Sequence, residues 1–303
     1  MKKKKLISML LIGSIIASIG LAGCGNKTET TNKTTNNTED NTTEDVSVSN
    51  DNSDNEITDT IILEKNAKIP KGCKYVSSDG TEYKEGENMP DSSAFGDSFI
   101  TNDYVYNRDI YSWIAKKVLD KSKAEYEPIC EMINGEAVTS MYETFNNCIN
   151  LEKAPKIPQS IISMNNTFYK CTSLTEAPEI PESVKEMNGT FASCTNLTVA
   201  PVIPESVTKM NDTFFNCKNL QKAPIIPSGV TDINNIFNDC INLKGDVIIN
   251  TNIDLLDGLQ YSKCFNNCAQ DSEHAIVLKG ICPCLEDIKV TGYNDGQYIT
   301  IEP

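Results

Sequence analysis

The chain has 303 residues, 39% of them hydrophobic and 7% aromatic, and a formal net charge of −15. An acidic balance of this size argues against nucleic-acid binding, which is built on Lys and Arg contacts to phosphate, and against peripheral docking on anionic lipid. His274 is the one His, so any Ser-His or Cys-His chemistry would have to run through it.

Lys2 to Lys5 precede an apolar stretch from Leu6 to Leu21, and Leu21-Ala22-Gly23 leads into Cys24. The pattern predicts a targeting segment over 1–23. A plain transmembrane anchor of similar length is the alternative, but a small-residue run ending in Cys has no use in one. The Leu-Ala-Gly-Cys run resembles the lipobox of bacterial lipoproteins. That resemblance implies that Cys24 is acylated, as with palmitate, and becomes the mature N-terminus. It implies a lipid-anchored protein on the extracytoplasmic face of a bacterial cell membrane. Loss of the leading segment, with its four Lys, would take the net charge to −19. Residues 24–57 are almost entirely Asn, Thr, Asp, Glu, Ser and Lys, too polar to offset the entropy of ordering. They are expected to be a disordered tether reaching ~30 Å on average and ~110 Å if pulled straight.

Residues 58–137 do not repeat. Asp103 to Asn107 alternates as a strand after a turn at Gly96-Asp97, and Tyr111 to Leu119 is favoured as a second strand. Ile133-Asn134-Gly135 then turns into the segment that begins at Val138. The region is expected to be a mostly-β cap over an open core. The other reading is a small functional domain, a surface hydrolase whose acids would be Asp97, Asp103, Asp109 and Glu127. Their spacing specifies no mechanism.

From Val138 the chain repeats. Phe145, Phe168, Phe191, Phe214 and Phe237 recur every 23 residues, as do Cys148, Cys171, Cys194, Cys217 and Cys240, and Leu151, Leu174, Leu197, Leu220 and Leu243. A sixth unit, with Tyr261, Phe265 and Cys268, is spaced by 28 and fits a terminal capping repeat. Met141, Phe145, Cys148 and Leu151 are spaced as one face of a short helical turn. Short parallel strands are expected near Val138–Met141 and Leu151–Ala154, with Pro155 and Pro158 in an extended, irregular segment. One coil cannot bury its apolar face alone, whereas stacked coils share a core.

The pattern (V/I)-x-x-M-x-x-T-F-x-x-C-x-x-L-x-x-A-P-x-I-P resembles the BspA-like leucine-rich repeats of bacterial cell surfaces. The resemblance implies a repeat solenoid: a leucine-rich-repeat-like parallel β solenoid with short helical turns. About six 23-residue coils would occupy 138–270, between the cap at 58–137 and a C-terminal cap at 271–303. Ile288 to Ile301 alternates around Asn294-Asp295-Gly296 and is expected to form a closing hairpin in that C-terminal cap. The L-x-x-A-P-x-I-P segment is one residue longer than the commoner form of the family, so no ligand contact is carried over.

The repeating Cys share one rung position and are expected to be buried thiols, since parallel Cβ vectors suit a disulfide poorly. Cys264, Cys268, His274, Cys282 and Cys284 offer soft ligands in plausible number. Cys268 is already explained by its register, however, and C-x-C is not a usual structural zinc spacing. No metal or cofactor is expected. A local disulfide involving Cys264, Cys282 or Cys284 stays open, as does the state of Cys73 and Cys130.

An anchor, a tether and a repeat scaffold together present a surface. The resemblance implies adhesion, with an extracellular or cell-surface protein or glycoprotein as partner. The variable positions between framework residues form the candidate stripe: Lys153 and Lys156, Glu176 and Glu179, Val199 and Val202, Lys222 and Ile225. A solute-binding or structural envelope lipoprotein is the alternative. The chain carries no nucleophile elbow, HExxH, phosphate loop or zinc signature, and no enzymatic activity is expected.

Overall fold

The computed structural model describes residues 60–251 and 261–302. Cys24, the targeting segment and the tether lie outside the described residues. Eight strands come first: β1 (Thr60–Ile62), β2 (Lys74–Val76), β3 (Glu82–Tyr83), β4 (Ser98–Ile100), β5 (Tyr104–Arg108), β6 (Trp113–Val118), β7 (Ile129–Ile133) and β8 (Glu136–Ser140). They form one sheet in the order β1-β7-β8-β6-β5-β4-β2-β3. The strands expected around 103–107 and 111–119 are β5 and β6. Asn134 and Gly135 join β7 to β8 with φ of 53° and 75°, the left-handed pair that a two-residue hairpin needs to match strand twist. Tyr75, Phe99, Tyr104, Tyr106 and Trp113 are buried between the sheet and its loops. The Tyr104 hydroxyl donates to the Glu127 carbonyl at 2.7 Å and the Tyr106 oxygen accepts the Cys130 N–H at 3.0 Å, whereas the buried Trp113 indole N–H has no hydrogen-bond partner.

Strand β6 is the first rung of the solenoid. Ile114 is paired in parallel with Ser140, and Ser140 bridges to Ser163, Ser163 to Glu186, Glu186 to Lys209 and Lys209 to Asp232. One parallel ladder thus runs from the N-terminal sheet into the fifth coil. A second thread accompanies it. The buried Thr144 hydroxyl donates to the Ala115 carbonyl at 2.5 Å, just as Thr167, Thr190 and Thr213 donate to Met141, Met164 and Met187 one coil back at 2.8–2.9 Å.

The arc from Met141 to Leu151 differs from the expected helical turn. Thr144, Cys148 and Leu151 N–H groups bond three residues back, to Met141, Phe145 and Cys148. The N–H groups of Glu143, Phe145 and Asn147 instead cross to Asn165, Thr167 and Tyr169 of the next coil, at 3.1, 2.9 and 2.7 Å. A helix would keep those donors within its own coil. Glu143 and Asn147 have φ of 59° and 63°, and the same two positions are left-handed in every described coil, down to Lys263 and Asn267. That conformation favours Asn, Asp and Gly, which explains their density between framework residues. The spacing of four, three and three thus comes from consecutive tight turns that keep the same residues inward. The strands expected at Val138–Met141 and Leu151–Ala154 appear as the end of β8 and as single parallel bridges such as Glu176 to Val199 to Lys222.

Inside, Phe145, Phe168, Phe191, Phe214, Phe237 and Phe265 stack in one column with centroids 5.3–5.8 Å apart. Tyr104 and Tyr126 meet Phe145 at 6.0 and 5.2 Å, so the column begins in the N-terminal sheet. The Met, Cys and Leu of each framework are fully buried beside it. The chain is a β-rich repeat solenoid in which every coil is completed by its neighbours.

The last described elements are β9 (Gly245–Ile248), β10 (Ile276–Lys279), α1 (Leu285–Lys289) and β11 (Ile299–Ile301). Here the expected closing hairpin is corrected: β9 and β11 both pair in parallel with β10. Residues 280–298 cross back through α1, which buries Leu285 and Ile288. Asn294-Asp295-Gly296 is left-handed as expected of turn residues, but lies in a 3-10 turn that feeds a parallel strand.

Candidate binding surface

The stripe is produced by the A-P-x-I-P segment. Leu151 and Ile157 point inward and are buried, Ala154 is partly buried, and Lys153 and Lys156 between them stand outside. Pro158 is buried and its carbonyl accepts the Ile161 N–H at 3.2 Å, turning the chain into the next coil. Pro181, Pro204 and Pro227 do the same for Val184, Val207 and Val230. A residue without an N–H asks for no acceptor at this position, and its fixed φ suits the turn. The same turn therefore recurs in each of four coils, and the variable side chains fall at matching positions.

All eight predicted residues, Lys153, Lys156, Glu176, Glu179, Val199, Val202, Lys222 and Ile225, are exposed. Val202 is 88% exposed, Val199 55% and Ile225 54%, high values for branched apolar side chains on a rigid framework. Val199, Val202, Lys222 and Ile225 share one depression of about 640 Å³, with Pro201, Asp246 and Ile248 at its sides. Lys153 and Lys156 line a smaller one of about 190 Å³ with Glu125 and Tyr126. Glu176 and Glu179 border neither and lie on the coil between. Among the described residues none of the five charged stripe side chains is in an ion pair, so their charge is free to meet another molecule.

Sequence reasoning missed Asp246, Ile248, Glu125 and Tyr126. Ile248 was within reach: it stands 23 residues after Ile225, and only the loss of the A-P motif in the fifth coil hid it. Glu125 and Tyr126 precede the repeat, and no periodicity points to them.

The acids of the N-terminal region are occupied structurally. Asp97 is buried and accepts the Tyr75 hydroxyl at 2.5 Å and the Ser78 and Ala94 N–H groups at 2.7 and 2.6 Å. Asp103 is buried, pairs with Lys123 and accepts the Glu127 N–H at 2.7 Å. Asp109 accepts the Ile110 N–H at 2.8 Å, and Glu127 accepts from Asn102 at 3.2 Å. Each ties down a loop, and no two of them face a common cavity among those described.

The sulfur atoms are likewise accounted for. Cys171, Cys194, Cys217, Cys240 and Cys268 are buried free thiols that donate to the Phe carbonyl one coil back, at 2.8–3.2 Å. Burial pushes the Cys217 and Cys268 thiols up to about 12. Cys264 is also free: it occupies the position of the buried Thr column and donates to the Ile233 carbonyl at 3.2 Å. It stands 28 residues after Ile236, the same offset that separates Phe265 from Phe237. Cys282 and Cys284 are joined by a disulfide, and Cys73 and Cys130 are free. His274 is tied to Asp271 at 2.8 Å. Among the described residues, no three or more His, Cys, Asp or Glu come together as a metal site.

The sequence profile of the BspA type leucine rich repeat region matches residues 139–271 in six copies. Among solved structures, a leucine-rich repeat protein of T. pallidum is similar at 22% identity and a TM-score of 0.37, over 48% of this chain and 82% of that one. A leucine-rich repeat protein from Bacteroides ovatus is similar at 20% identity and a TM-score of 0.38, over 60% of this chain and 55% of that one. A leucine rich cell surface protein from Faecalibacterium prausnitzii is similar at 15% identity and a TM-score of 0.33, over 65% of this chain and 76% of that one. No curated protein matches the chain.

Proposed function

We propose that the protein, whose residues 139–271 match the BspA type leucine rich repeat region, is a surface-displayed adhesion scaffold that binds a protein or glycoprotein partner through the stripe from Lys153 to Ile225. The observation that carries this reading is the contrast within each coil: the Phe, Cys and Leu of the framework are fully buried, while Val199, Val202 and Ile225 are held outside together. A rigid face with free charge at one end and apolar side chains at the other is suited to a macromolecule. In this reading Cys24 carries the lipid anchor, residues 24–57 are the tether, residues 58–137 and 271–303 cap the repeats, and no residue is catalytic. Many tethered copies would act together, so weak single sites suffice.

The test is binding of the full chain, displayed in many copies on beads, to extracellular-matrix proteins, mucins and whole cells, with the Val202→Asp/Ile225→Asp double variant beside it. Both positions are exposed, so the variant should unfold at the temperature of the unaltered protein. The expected outcome is capture by the unaltered chain and its loss in the variant. Equal capture by both removes the stripe as the binding face. Thermal shift by a small molecule without macromolecular capture would favour the solute-binding alternative.

A further inference from the structure

The rungs of the stripe have a spacing, and that spacing selects the shape of what binds. Glu176, Val199 and Lys222 are successive partners in a parallel bridge ladder, so neighbouring coils stand ~4.8 Å apart at the stripe. Each coil offers a different chemistry: cationic at Lys153 and Lys156, anionic at Glu176 and Glu179, apolar at Val199 and Val202, mixed at Lys222 and Ile225. The two depressions sit at the two ends of this series, one against Lys153 and Lys156, the other around Val199, Val202 and Ile225. A partner that satisfies the series must bring one side chain to each successive coil.

An α-helix does so. Its turns are ~5.4 Å apart, and a tilt of roughly 25–30° to the solenoid axis brings them into step with ~4.8 Å rungs. The tilt is accommodated because the stripe has two columns, three residues apart along the coil. The two depressions are two coils, ~10 Å, apart from first to third, close to the ~10.8 Å of two helical turns. An extended strand presents same-side residues every ~6.7 Å, so it keeps step only at a tilt of roughly 45°, which carries it ~9 Å sideways over two coils, about twice the slide of the helix. A polyproline helix, at ~9.3 Å per turn, reaches every second coil and leaves Glu176 and Glu179 unanswered.

We propose that the stripe is a dock for an amphipathic helix laid along the solenoid. Its facing side chains run, one turn apart, from an acid over Lys153 and Lys156 to a base over Glu176 and Glu179. Two apolar residues then come seven and eleven positions after the acid, in the depression formed by Val199, Val202, Ile225 and Ile248. Charge complementarity sets the register and the apolar pair supplies the desolvated contact. This inference rests on the proposed binding role of the stripe and adds the shape and charge order of the partner.

The experiment is selection of two phage-displayed libraries on the immobilised full chain. One varies the exposed face of a single helix on a stable helical scaffold; the other displays linear segments interrupted by Pro. The expected result is at least tenfold enrichment of helical clones carrying the acid, base, apolar, apolar order at turn spacing, lost on Val202→Asp/Ile225→Asp. On Lys153→Glu/Lys156→Glu the acid should be replaced by Lys or Arg in the enriched clones. Enrichment from the linear library alone, no enrichment, or clones indifferent to both variants would overturn the helical partner. If bead capture still depends on Val202 and Ile225 while the helical library fails, only the shape assignment falls. If bead capture is indifferent to them, the binding role of the stripe falls with it.

Discussion

The thiol of Cys217 donates to the main-chain carbonyl of Phe191, one coil back, at 3.1 Å. The same carbonyl accepts the Cys194 N–H at 3.0 Å, so both of its lone pairs are used. The cysteine column is therefore a row of inter-coil hydrogen bonds inside an apolar core, and each thiol acts as a small hydrophobe with one polar task.

Alkylation should reflect that. Cys194, Cys217 and Cys240 are fully buried and their thiolates are disfavoured by burial. In the native protein at pH 8 they are expected to resist iodoacetamide while Cys73, half-buried, is the first of the described thiols to react. In denaturant all should label, as read by mass spectrometry of the digested chain. Native labelling of Cys217 at the rate of the denatured chain would show the column to be open.

The same burial ties stability to pH. The Cys217 thiol is raised from its ordinary 9.0 to about 12 by desolvation. Between those values the unfolded chain loses a proton that the native chain keeps, so unfolding free energy falls as pH rises. Below pH 8 the thiols contribute no pH dependence. Cys217→Ala removes one contributor and should flatten the decline between pH 9 and 11 by up to ~1.4 kcal/mol per pH unit. Urea unfolding at pH 7, 8, 9 and 10 reads the slope directly.

Phe191 stands in the middle of the aromatic column, 5.6 Å from Phe168 and 5.7 Å from Phe214. Phe191→Ala should cost ~3–5 kcal/mol, and Phe191→Leu only about 1–2 kcal/mol, because most of the volume is kept. Phe265, at the far end of the column with Phe237 on one side, should be the less costly site for the same change to Leu. Denaturant midpoints of the three variants rank them.

Gly189 has φ of 61° at a position where Asn166 and Asp212 are also left-handed, and a Cβ there would lie 2.2 Å from the Asn166 Oδ1. Gly189→Ala is expected to cost about 1–2 kcal/mol, combining left-handed strain with displacement of Asn166. Asn166→Ala in the same chain removes the clash, so the double variant should be less destabilised than the sum of the singles. Strict additivity would mean that Asn166 moves aside without cost.

A period of 23 with Met, Phe, Cys and Leu at fixed offsets decided the architecture by itself, because a column of identical side chains can be buried in only a few ways and stacking coils is the simplest. For the same reason the eight stripe positions were legible: residues that vary between invariant inward positions must face out. The burial of the Cys column came from that register too. Tertiary structure decided the rest. Whether the arc from Met141 to Leu151 is helical depends on where the N–H groups of Glu143, Phe145 and Asn147 go, and their acceptors belong to another coil. Whether Ile299–Ile301 closes a hairpin or a parallel edge depends on the route of residues 280–298, and alternation reads the same in both directions. The paths of Tyr104 and Tyr126 to Phe145, and of Glu125 to the edge of the stripe, are contacts between segments that share no period. Local pattern fixes which side of a coil a residue faces; only the packed chain fixes what it meets there.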